Sequence, residues 1–158
     1  MTLRRRAGPY SAGMDIDGAP AYFAFPGPLR DQLVGAVLAG LKTSTSGLLA
    51  DYERGDEPLP RVGERSTVMD SGDRPVAVIE TTEVRVIRLG DVDLPHAIDE
   101  GEGYESVAAW RAGHEEFWHS AEARAELGDP HFTVDDDTLM VAERFRLVTR
   151  IGPDGTET

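Results

Sequence analysis

The sequence has no cysteine. That excludes disulfides, zinc ribbons and cysteine nucleophiles together, and it agrees with a reducing cytoplasm, the expected location. It also lacks any run of about 18 apolar residues, the length a membrane helix needs, so no membrane partner is expected. No apolar segment follows the arginines Arg4, Arg5 and Arg6, as it would in a secretory leader. Positive charge is scarce: Lys and Arg number 16 against 29 Asp and Glu, for a formal net charge of −13. A protein that grips long nucleic acid needs a basic face for the phosphates, and an acidic body repels a polyanion at long range. The balance therefore favours a small ligand over a long one. Missing too are a GxSxG elbow, a Walker A loop and a GxGxxG after a strand, which removes the common hydrolase, NTPase and dinucleotide readings. The histidines His96, His114, His119 and His131 form neither HxH nor HExxH, so no metal and no cofactor are expected.

What is present fits one domain of 158 residues, long enough to bury about two thirds of its unfolded surface. Residues 1–20 mix Arg, Gly, Ser and Pro without periodicity and read as a loosely held arm; 21–150 carry the domain; 151–158 read as a tail. From Pro28 to Leu41, the ridges Leu29, Leu33, Val37 and Val34, Leu38, Leu41 predict a helix on a core. DYERGDEPLPRVGE reads as loop and turn. Ser66 to Asp70 predicts a short strand, and Val76 to Leu89 a long, bent one rich in β-branched residues. A short helix over Leu94 to Asp99 is followed by the loop EGEGYES. Ser106 then caps a long helix expected to run to Gly128, and a last strand spans about Thr138 to Thr149. This order predicts an α+β fold with a mostly antiparallel sheet.

Three clusters could carry chemistry. GLKTSTS, Gly40 to Ser46, brings one lysine and four hydroxyl residues together as a helix ends. A lysine held away from water gives up its proton more readily and can then accept one from a hydroxyl; the alternative is a hydroxyl-rich turn with Lys42 in solvent. Glu100-Gly101-Glu102-Gly103-Tyr104-Glu105 packs three carboxylates beside glycines that let backbone approach a ligand. Its alternative is a solvated acidic loop. Trp110, Arg111, His114, Glu115 and Trp118 share a helix face, which suits either base stacking or core.

These blocks in order (the apolar helix into GLKTST, LLADYERGDEPLPRVGE, the EGEG loop and WRAGHEEFW) resemble the ASCH domain over about Tyr22 to Leu147. The resemblance implies a PUA-like β-barrel flanked by helices, with a cleft beside the lysine turn and a nucleoside, nucleotide or RNA as partner. Some small bacterial members deacetylate acetylcytidine without a metal, using a lysine and a threonine of the turn and a downstream glutamate. By motif these fall on Lys42, Thr45 and Glu100, in facing segments. Thr43, Ser44, Tyr52, Arg65, Glu102, Tyr104, Trp110 and His114 are the accompanying candidates for substrate binding. Ser44 and Tyr104 stand where the larger branch of the family often has alanine and an acidic residue. A non-catalytic RNA- or nucleotide-binding module and a ribonuclease are the alternative functions.

Overall fold

A computed structural model describes residues 1–5 and 16–158 of the protein. Its elements run β1 (Leu3–Arg5), β2 (Ala19–Phe23), α1 (Pro28–Leu38), β3 (Ser44–Leu48), α2 (Leu49–Arg54), β4 (Arg65–Met69) and β5 (Pro75–Arg88). After a 3-10 turn at Leu89–Asp91 come α3 (Leu94–Asp99), α4 (Val107–Trp118), α5 (Ala121–Leu127) and β6 (Leu139–Arg150). The class is α+β, as the element order predicts.

The strands form one sheet in the order β1-β2-β4-β5-β6-β3, antiparallel except where β2 runs parallel to β4. The 14-residue β5 shifts register against β6 at Val78/Ile79 and at Thr81/Glu83. Such bulges bend a strand and raise its twist, so the sheet curls into a half-barrel. Its two outer strands, β1 and β3, thereby meet: the Thr45 hydroxyl donates to the Met1 carbonyl. Inside the curl Arg5 reaches both carboxylate oxygens of Glu143, at 2.9 and 2.5 Å, and the Ser66 hydroxyl at 2.8 Å. A buried guanidinium is tolerable because a bidentate carboxylate and hydroxyls satisfy it.

Two apolar clusters hold the helices to the sheet. Leu33, Val34 and Val37 of α1 pack with Leu3, Phe23, Val68, Ile79 and Phe145. Ala97 of α3 and Trp110 and Trp118 of α4 pack with Leu48, Leu89, Met140 and Ala142.

The structure departs from the sequence reading in four places. Leu3–Arg5 is not a loose arm but a strand, with Leu3 only 1% exposed; three residues are too few to show a period, and Arg5 points into the barrel. Arg6 lies outside the described residues. The helix expected to reach Leu41 stops at Leu38, and the chain turns at Gly40 with φ +75°. The helix expected to run to Gly128 is two helices, because Ser120 accepts a hydrogen bond from Ala123 N and caps a new one. Leu49–Arg54, placed in a loop, is α2. The final residues fold back, with Ile151 bridging Glu157.

Candidate functional site

The close approach of two loops builds the site. Gly101 has φ +70°, and a Cβ there would lie 2.7 Å from the Leu41 carbonyl and 2.8 Å from Lys42 Cα. Only glycine adopts this backbone without strain and lets the acidic loop lie against the lysine segment. A hydrogen bond from Thr43 N to Asp99 O, 2.7 Å, ties the same junction. Beyond it β3 alternates, sending Ser44 and Ser46 toward α3 and Thr45 toward the other face.

Glu100 is the hub. It is fully buried, and its carboxylate lies 2.5 Å from the Met1 ammonium, 3.6 Å from Lys42 Nζ and 3.1 Å from His114 Nε2. The Ser46 hydroxyl donates to Oε2 at 3.1 Å, and the Trp110 indole N–H donates to the same oxygen. Burial alone would push this carboxyl up; the Met1 ammonium, His114 and Lys42 hold it well below the usual range.

Lys42 is 1% exposed. Its Nζ donates to the Ser44 carbonyl at 2.9 Å and the Glu100 carbonyl at 3.2 Å, and sits 5.3 Å from the Phe23 ring centroid. Of the two readings of this lysine, held away from water or in solvent, the first holds: Lys42 is an interior cation fixed by two carbonyls and a carboxylate.

Glu102 places Oε2 3.2 Å from the Met1 ammonium, and Tyr104 sets its ring 5.9 Å from that of His114. Burial and the Glu102 charge push the Tyr104 hydroxyl up to about 12. Trp110 stacks on His114, with ring centroids 4.1 Å apart. Ser44 donates to the His96 carbonyl at 2.9 Å. Thr45, by contrast, touches Met1 and not the carboxylate.

Two sequence candidates fall outside this group. Tyr52 is buried in the neighbourhood of Glu143 and Arg5, and burial pushes its hydroxyl well above the usual range. Arg65 is half-exposed on β4 and pairs with Asp17 at 3.2 Å and Glu80 at 3.3 Å.

Sequence reasoning missed Ser46 and His96. Ser46 Oγ lies 2.7 Å from His96 Nε2, and both are fully buried. Burial lowers His96 to about 4, which keeps the ring neutral at neutral pH although Glu100 pulls the other way. Both signals were present: strand alternation joins Ser46 to Ser44, and a four-residue spacing stacks His96 and Glu100 on one helical face. Chemically the group offers an uncharged base, a hydroxyl, a lysine and an ionised carboxylate shut away from water, where each charge acts strongly.

A family model described as the ASCH domain matches residues 21–149. Among solved structures, the ASCH domain from Lactobacillus crispatus JV V101 is 29% identical with a TM-score of 0.71, over 82% of this chain and 78% of that one. A protein from Enterococcus faecalis V583 is 26% identical with a TM-score of 0.70, over 82% of this chain and 75% of that one. Among curated proteins no relative is detected.

Proposed function

The chain belongs to the ASCH domain family and carries its PUA-like fold, and from that premise we propose that the Glu100 centre hydrolyses the amide of an acylated nucleoside such as acetylcytidine. The observation that carries this reading is the buried, ionised Glu100 carboxylate set beside Lys42 at 3.6 Å and the Ser46 hydroxyl at 3.1 Å. The Met1 amino nitrogen rests on Glu100 at 2.5 Å while its carbonyl oxygen accepts from Thr45. The centre thus offers a carboxylate that receives an N–H group and a hydroxyl that donates to a carbonyl oxygen, contacts that an amide's N–H and C=O can each use. With Met1 displaced, the Thr45 hydroxyl attacks the acyl carbonyl and passes its proton, through a water in the space Met1 leaves, to the ionised Glu100, whose charge Lys42 balances at 3.6 Å. Glu100 relays a proton to the departing exocyclic amine, and water then releases the acyl group from Thr45.

The alternative of an RNA-binding module draws support from the family's PUA-like fold. The charge of this chain weighs against it: Arg65, Arg85, Arg88, Arg144 and Arg146 each face an acidic side chain, and the net charge is −13. Acetylcytidine turnover measured for wild type, Lys42→Ala and Glu100→Gln tests the proposal. Turnover by wild type that both variants lose supports it. Folded wild type without turnover sinks it.

A further inference from the structure

The hydrolytic reading leaves one face of the Glu100 centre unused. His114 is fully buried on α4, and its Nδ1 lies 2.9 Å from the Trp110 carbonyl, to which it donates. That bond leaves Nε2 as the ring nitrogen turned toward the acidic loop, the one that would bind an ion in place of a proton. Nε2 has no hydrogen-bond partner, yet it faces Glu100 Oε2 at 3.1 Å and Glu102 Oε2 at 3.9 Å. An imidazole nitrogen and two carboxylates this close need positive charge among them, carried by a proton or by a bound cation.

The spacing suits a metal ion. One ligand atom from each of Glu100, Glu102 and His114 lies within 4.8 Å of the other two. Bonds of about 2.0–2.2 Å to a tetrahedral or octahedral ion set neighbouring donors roughly 3.0–3.6 Å apart. The His114 to Glu100 distance already falls there, and the Glu102 to His114 distance needs only a small side-chain shift. A donor bond from the far ring nitrogen to a carbonyl is also what a metal-bound imidazole usually makes. Trp110 and Ser46 hold the Glu100 carboxylate in place by donating to it. A cation is already accommodated, since the Met1 ammonium touches both carboxylates. Lys42 lies toward Glu100 Oε1 at 3.6 Å, whereas His114 faces Oε2.

We propose that Glu100, Glu102 and His114 form a three-ligand site for a divalent transition-metal ion, zinc or manganese, at the position the Met1 ammonium holds. One imidazole with two carboxylates is a donor set both ions accept, and three protein ligands leave coordination open to a further molecule. The spacing of residues 100, 102 and 114 matches none of the short metal motifs, which is why it was invisible in the sequence. The inference does not depend on hydrolysis.

The test uses the full chain, stripped with a chelator and titrated calorimetrically with zinc and with manganese. One ion per chain is expected, together with a rise in Tm, and His114→Gln and Glu102→Gln should each weaken binding at least tenfold. Nitrogen-15 spectra of wild type should show the His114 Nε2 signal move on saturation with zinc, a readout that stands even if a variant fails to fold. Folded wild type that binds neither ion overturns the site. So does binding unchanged in both variants, or a His114 ring that keeps protons on both nitrogens in excess zinc. Ion binding without acetylcytidine turnover would instead defeat the hydrolytic reading and leave this one standing.

Discussion

Glu100 shows how much one buried charge can organise. Its partners Met1, Lys42, Ser46, Trp110 and His114 come from three separate stretches of chain. Removing one member of such a group strands the remaining charges and costs about 3–5 kcal/mol. Glu100→Ala should therefore lower Tm by roughly 10 °C for a domain of this size, as a calorimetric scan would show. Lys42→Ala should cost about 3 kcal/mol for the same reason, which chemical denaturation can check against the few tenths expected of a surface lysine. His96 gives a dependence on pH. Its folded pKa of about 4 lies below the ordinary 6.5, so the unfolded chain takes up the proton first as pH falls. Stability is full above about pH 6.5 and declines by roughly 3 kcal/mol toward pH 4. The slope of stability against pH should flatten across that window in His96→Gln.

At the scale of elements, glycine at 101 decides whether the acidic loop can reach the lysine segment. Gly101→Ala adds a left-handed strain of about 1 kcal/mol or more and a clash with the Leu41 carbonyl. Lost turnover and a lower Tm should appear together. β1 is equally testable: Leu3→Ala removes a side chain 1% exposed and should cost about 2–5 kcal/mol in denaturant unfolding. Long periodic elements were legible in the sequence. α1, β5 and β6 fall within a few residues of their predicted ends, because ridges and β-branched runs state their own period. Short elements were legible only in part: the helix Leu94–Asp99 and the strand Arg65–Met69 were read to within a residue, whereas three others were not. β1, β3 and α2 hold three to six residues each, and what defines them is the partner they pair with. In the site, Lys42, Glu100, Glu102, Trp110 and His114 were named from sequence and do converge. Ser46 and His96 required knowing that β3 is a strand lying on α3.

The whole molecule is acidic outside and charged at its centre. A labelled single-stranded RNA should bind no more tightly than the roughly 10⁻⁴–10⁻⁶ M of non-specific contacts, and fluorescence anisotropy at low salt measures this directly. Among the described residues no helix is long and apolar enough to cross a membrane. The folded sheet brings together segments that the chain keeps far apart: Met1 meets Glu100 across 99 positions, and Arg5 meets Glu143 across 138. Loop closure over such distances carries an entropic cost that contacts repay only late in folding. The centre therefore assembles only when the domain as a whole does. Trp110, one of two tryptophans in the chain, bonds its indole nitrogen to Glu100. Its emission is thus a built-in optical signal for closure of the centre, and it should change on refolding in step with global folding, before any ligand is added.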